Sequence, residues 1–376
     1  MKVLIVKYVG RAGPYVMADF EDFLKSMGHE TAVFDLGLFM GLEATERSVH
    51  VAANAAKMIS DFLPDFVIGY GATAVVGLYS ANEQKKVDLF TYLGIPSVCI
   101  HYDDPLDKRI FEICYDAFDI ENHYFFVWDR HYVGELKKLG YDKSYFMPIA
   151  SNIRRFKKLK SDEEDRKKFG ADVSFVGSYT IKREMILKAL LDRFDLKIWG
   201  YEWEKARDPR FKNCIMGIAD NEKDLAKVYN YSKININITV DQGIGSLNMR
   251  VFDCMASGGF LISDYKSDFE ELFDIEKETV TFKTLDELPG LVDYYLNNEE
   301  KRKEIARNAR KKVLAEHSYM NRINFILETL EGEGAFMEPR WWKRGNGPGE
   351  FLNSIMNMAV RYSKQKELEC ANGAKV

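Results

Sequence analysis

The densest chemistry in the sequence lies in GSLNMRVFDCMASGGFLIS, residues 245–263. Asn248, Arg250 and Asp253 fall in the first turns of a predicted helix whose end is marked by Gly258 and Gly259. A helix N-terminus offers free amides and the positive end of its dipole, and an arginine in the first turns adds a guanidinium. Together they suit an anionic group such as a phosphate. Asp253 lies deeper, within reach of hydroxyls; the same spacing also fits a solvated helix face with an internal charge pair. FVGSYTIKRE, residues 175–184, repeats the theme. An apolar strand ends at Val176, Gly177 lets the backbone approach a ligand, and Lys182 and Arg183 follow on a starting helix, as a phosphate grip or as solvated surface charges.

A third place is HYDDP, residues 101–105. His101, Asp103 and Asp104 follow a predicted strand, where a carboxylate or imidazole could orient an acceptor hydroxyl or remove its proton. The alternative is that these acids cap a helix starting near Leu106, with Pro105 fixing the turn. The turn YVGRAGPY, residues 8–15, carries Gly10, Arg11 and Gly13, either for a ligand or for a tight strand-to-helix connection. Trp199, Tyr201 and Trp203 read as packing rather than sugar stacking, with Gly200 opening backbone access to a base. Trp341 and Trp342 in MEPRWWKRG suggest a membrane-surface or acceptor contact, or an anchor for a tail returning to the first domain.

These residues need strands and helices to hold them. Short β-rich apolar runs at 2–6, 31–36, 65–70, 96–102 and 124–128 alternate with amphipathic stretches at 16–27, 51–62 and 132–139. That alternation predicts a parallel sheet, in which ligands bind beyond the carboxyl ends of the strands. The charged stretch RRFKKLKSDEEDRKKFG reads as an interdomain linker with a short helix, and the strand pattern restarts at DVSFVGSY. It continues at 196–201, 233–239, 258–263 and 278–282, and the chain turns helical from about Asn298, with a last amphipathic stretch at 351–362. The predicted domains are 1–152, 153–330 and a tail 331–376 that crosses back. Two α/β domains in tandem imply a cleft.

Composition narrows the function classes. The chain has 376 residues, 46% of them hydrophobic, enough for two cores. A net charge of −5 gives no basic footprint for nucleic acid. The opening MKVLIVKYVG lacks a signal-peptide pattern, and no uninterrupted apolar run approaches the eighteen or so residues of a membrane helix. The five cysteines and six histidines are scattered without metal or disulfide spacing, which points to a reducing cytoplasm and no structural zinc.

The segment at 245–263 resembles the donor-binding helix of retaining GT-B glycosyltransferases, and more narrowly the spore-maturation CgeB-type family, whose pattern reads S-x-N-x-R-x-x-E-x-x-A-x-G. Ser246, Asn248, Arg250, Asp253, Ala256 and Gly258 stand at those positions, with aspartate in place of glutamate. The resemblance runs with gaps from about His101 to Leu330, through HYDDP, VWDRHYVGELKKLGY, MPIASN, FVGSYTIKRE and IWGYEW. It implies a GT-B α/β fold of two Rossmann-like domains with parallel sheets facing across a cleft. It implies a nucleotide-diphosphate sugar as donor, and retention of anomeric configuration. Arg250 would hold the diphosphate and Asp253 the ribose, with Gly177, Ser178, Arg183 and Gly200 completing the donor site; of the two basic residues, Arg183 is favoured over Lys182. The broader superfamily has an acidic residue eight positions before Asp253, where this chain has Gly245.

The leaving diphosphate needs a metal or fixed cations, and the sequence offers cations: no Asp-x-Asp pair sits at a strand end, so neither metal nor cofactor is expected. The acceptor, whether glycan, protein or small molecule, is not readable. Two other functions fit the same residues: a nucleotide-sugar 2-epimerase, and a non-catalytic sugar- or nucleotide-binding protein.

Overall fold

The computed structural model describes residues 1–7, 13–71, 77–78, 86–107, 118–119, 121–239, 243–337, Asn353 and Asn357. The chain divides into two compact units, Met1–Met147 with the chain from Arg322 onward, and Pro148–Asn321. The second division falls inside helix Tyr319–Gly332.

Unit one is built on β1 (Lys2–Lys7), β2 (Glu30–Asp35), β3 (Phe66–Tyr70), β4 (Gly77–Leu78), β5 (Lys86–Asp88), β6 (Ser97–His101), β7 (Phe118–Asp119), β8 (His123–Val127) and β9 (Ser144–Phe146). The main sheet has six strands in the order β2-β1-β3-β6-β8-β9, all parallel, and β4, β5 and β7 form a small separate sheet. The run Val3 to Val6 is wholly buried. Leu4 and Val6 pack with Ala52, Ala56 and Ile59 of helix Ala44–Phe62, and helix Gly13–Ser26 also packs on β1. A strand covered on both faces has no polar side to show, which is why it reads as an unbroken apolar run.

Unit two holds β10 (Val173–Val176), β11 (Leu196–Trp199), β12 (Ile215–Gly217), β13 (Ile234–Asn237), β14 (Leu261–Asp264) and β15 (Val280–Phe282). They form a second parallel sheet in the order β12-β11-β10-β13-β14-β15. In β13 the alternation is meaningful on both faces. Ile234 and Ile236 enter the apolar core with Val173, Phe175, Trp203 and Phe211, while Asn235 and Asn237 turn the other way and are hydrogen-bonded throughout. The stretch read as a linker lies within unit two: Leu159 N donates to Asn230 Oδ1 and Tyr231 Oη to the Lys160 carbonyl, each at 2.8 Å, and Glu163–Phe169 is helical.

Each six-stranded sheet reverses its strand order once, between β1 and β3 in unit one and between β10 and β13 in unit two. The crevice beyond the carboxyl ends at such a reversal is where open α/β sheets bind ligands. Among the described residues no helix is long and apolar enough to cross a membrane. Gly10, Arg11, Trp341, Trp342, the stretch 351–362 apart from Asn353 and Asn357, and the tail beyond Met337 with those same two exceptions lie outside the described residues.

Candidate functional site

At the reversal in unit two, β10 ends at Val176 and delivers Gly177 and Ser178, and β13 ends at Asn237 and delivers Ile238 and Thr239. Arg183 spans the two. Its guanidinium donates to the Ser178 carbonyl at 2.7 Å and to the Ile238 carbonyl at 3.1 Å, and it lies over the Phe175 ring at 5.4 Å. Only 3% of Arg183 is exposed. Burial, and then the charge of Arg250, lower its pKa to about 9. Arg183 thus fastens the two loops and adds positive charge from below, whereas its neighbour Lys182 is partly exposed, with its ammonium 3.1 Å from the Thr239 carbonyl. Gly200, after β11, faces the same loop: a methyl there would collide with the Gly177 carbonyl, which also accepts from Trp203 Nε1 at 2.8 Å. Its lack of a side chain is used by the Gly177 peptide. Trp199 and Trp203 are buried and Tyr201 is exposed.

The helix of the 245–263 segment runs from Met249 to Ser257, with Asn248 as its N-cap accepting from Arg250 N at 3.1 Å. Asn248 is itself held, donating from Nδ2 to Asn237 Oδ1 at 3.0 Å, and Asn237 donates to Ser263 Oγ at 2.9 Å. An amide ladder across β13 and β14 therefore sets where the helix starts. Gly258 closes it with φ +81, a left-handed conformation that favours glycine. Ser246 is buried just ahead of the cap.

Asp253 is 2% exposed and accepts from Ser151 Oγ at 2.7 Å, so it faces the interior, which excludes the solvated-face alternative. Arg250 is half-buried, and its Nε is enclosed without an acceptor. Burial lowers its pKa, and Tyr229, Asp253 and Asp264 act against that shift. The Tyr229 hydroxyl, also enclosed, has no hydrogen-bond partner, and burial followed by Asp253 pushes its pKa well up. Two buried donors near one carboxylate, at the mouth of a capped helix, are an arrangement that favours an anionic ligand.

Two residues absent from the sequence reading belong here. Asp264 ends β14 and accepts from Thr239 N at 2.9 Å and from Thr239 Oγ1 at 3.0 Å, and its other oxygen is 3.9 Å from Lys182 Nζ. Tyr229 is the other, and neither lies in a recognisable motif. At Gly245 a side chain would meet Ser267 Oγ and, at 3.2 Å, Asp268 Oδ1, so that space is filled by the loop after β14.

Unit one gathers a different set at its own reversal. Gly13 opens helix Gly13–Ser26 against Tyr70 at the end of β3, where a Cβ would stand 3.2 Å from the ring. Tyr70 Oη donates to Asp103 at 2.6 Å, and burial followed by Asp103 raises the tyrosine pKa beyond its ordinary range. Asp103 is exposed. Asp104 instead accepts from Leu106 N at 2.8 Å, a bond within its own turn; whether a helix follows lies outside the described residues. His101 is 4% exposed and stacked on Phe125, and burial lowers its pKa to about 3, so it is a neutral and very weak base. The structure thus separates three residues that the sequence grouped, leaving Asp103 as the accessible carboxylate. Among the described residues no group of three or more His, Cys, Asp or Glu could hold a metal ion.

No curated protein matches the sequence. Among solved structures, a glycosyltransferase from Rickettsia africae ESF-5 is similar with a TM-score of 0.62 and 14% identity, over 88% of this chain and 98% of that one. Anabaena HepE in complex with UDP and glucose has a TM-score of 0.60 and 11% identity, over 88% and 100%. Sucrose-phosphate synthase from Thermosynechococcus elongatus has a TM-score of 0.60 and 10% identity, over 88% and 99%. The fold of the chain is therefore GT-B, and over residues 182–328, which include the Arg183 and Arg250 cluster, it matches the glycosyl transferase-like family.

Proposed function

We propose that the protein transfers a sugar from a nucleoside-diphosphate sugar to a hydroxyl acceptor without a metal, and that unit two holds the donor. The observation that carries this reading is the enclosed Arg250 Nε without an acceptor, beside the capped N-terminus of Met249–Ser257 and within the field of Arg183. Breaking the bond between the sugar carbon and the phosphate oxygen leaves the electron pair on the diphosphate, and fixed cations with helix amides stabilise charge that develops there. Arg250 and Lys182 are assigned to the phosphates. Arg183 holds the loops around them, Asp253 is assigned to a ribose hydroxyl, and Gly177, Ser178, Ser246 and Gly200 shape the floor. Acceptor handling is assigned to unit one, at Asp103. Support comes from the family match over residues 182–328 and from the similar HepE structure, which contains UDP and glucose. Retention of configuration and CgeB-type kinship are the finer parts of the proposal, and rest on the sequence resemblance. A cytoplasmic setting fits the free thiols of Cys214 and Cys254.

The test is calorimetric titration of wild type and Arg250→Ala with UDP, GDP, dTDP and CDP and their common sugars, with no added metal. One diphosphate binds, and the variant weakens it by about ten- to a hundredfold, the worth of a charge-assisted hydrogen bond. Full sugar transfer by a folded Arg250→Ala protein would sink the assignment. A putative UDP-N-acetylglucosamine 2-epimerase from Listeria monocytogenes shares the fold at a TM-score of 0.52, so NMR of the donor incubated alone separates the two reactions.

A further inference from the structure

Cations crowd the reversal in unit two, and the carboxylate of Asp264 stands among them. Asp264 faces Lys182, and its charge reaches Arg183, Arg250 and Lys266 as well. Its side chain is mostly buried, and one oxygen is fixed by both the amide and the hydroxyl of Thr239. The Thr239 carbonyl in turn accepts from Lys182. This is costly placement for an acid, because burial raises its pKa against the pull of Thr239 and the lysines. A structural tie between Thr239 and β14 would be served equally well by a neutral amide, so the charge itself calls for a function.

We infer that Asp264 weakens the grip of the cation cluster on a nucleoside diphosphate, so that the spent leaving group departs. The inference rests on the diphosphate reading of the site. When the sugar–phosphate bond breaks, the electron pair stays on the terminal phosphate oxygen, and the nucleoside diphosphate carries more negative charge than the donor did. A fixed carboxylate beside Lys182 repels that product more than the donor, and competes with it for the ammonium.

The experiment titrates wild type, Asp264→Asn, Asp264→Ser and Thr239→Val with UDP and with inorganic pyrophosphate, near physiological salt. Both Asp264 variants bind each ligand about tenfold more tightly than wild type, as expected for removing one charge a few ångströms away in a partly screened site. Thr239→Val, which loses the hydroxyl bond and keeps the charge, binds no more tightly. Unchanged or weaker binding by folded Asp264 variants would show that the residue only supports the Thr239 loop, and would overturn the inference. If neither these ligands nor GDP, dTDP or CDP binds wild type or any variant, the diphosphate reading itself has failed and this inference falls with it.

Discussion

Lys182 and Arg183 are adjacent in sequence, but neighbours on a helix point about 100° apart, and the structure gives them different tasks. Arg183 satisfies the Ser178 and Ile238 carbonyls, which a lysine cannot reach with the same fork. Arg183→Lys should therefore lower stability by about 1–3 kcal/mol, read from urea denaturation, because carbonyls are left unpaired in a buried place. Lys182→Met should change stability by no more than about 0.5 kcal/mol, yet weaken binding of the cognate nucleoside diphosphate. Equal losses of stability in both variants would contradict this division. The sequence pointed to the pair but not to the division, because burial of a guanidinium is decided by β13, more than fifty residues away in the chain. Asp264 was illegible for the same reason: its partners, Thr239 and Lys182, are brought to it only by the sheet.

The elements were more readable than the contacts between them. All of the apolar runs picked out by pattern are strands, with ends moved by a residue or a few, since continuous Val, Ile and Phe in a doubly covered sheet leave a strong signal. The short edge strands β9 and β12 gave none: SYF and IMG are three residues each, and β12 is largely exposed. What joins the elements is also hidden from pattern. Gly200 reads as a place where a ligand approaches, but its open face is occupied by the Gly177 peptide, which ties the end of β11 to the end of β10. Gly200→Ala should destabilise unit two by about 1–3 kcal/mol, as overpacking of a close backbone contact does. It should also displace the Gly177 loop, so that nucleotide binding falls along with the denaturation midpoint. A variant of unchanged stability would mean that the loop yields freely and that the contact carries little.

At the scale of the whole molecule, two sheets of one design each reverse their strand order once, and in unit one the histidine that ends β6 is buried and neutral. The alternation of strands and helices made both sheets legible, but nothing in HYDDP says that His101 is enclosed while Asp103 two residues on is exposed. Phe125, in the middle of β8, stacks on the imidazole, and Gly71, just past the end of β3, stands beside it. This burial has a global consequence. His101 titrates at about 3 in the folded chain, against 6.5 when unfolded, because burial disfavours the charged ring. Between those values the unfolded chain binds a proton that the folded one does not, so this contribution is fully present above 6.5 and is lost as the pH falls toward 3. The limiting slope is about 1.4 kcal/mol per pH unit. Carboxylates titrate in the lower part of the same range, so the comparison must be with His101→Gln, which removes only this group. Urea midpoints of the transition of unit one, taken at pH 7 and pH 5, should fall further for wild type than for the variant, by about 1–2 kcal/mol in stability. Parallel losses in the two proteins would mean that the imidazole is protonated in the native chain, and would return His101 to the set of groups able to exchange a proton with a substrate.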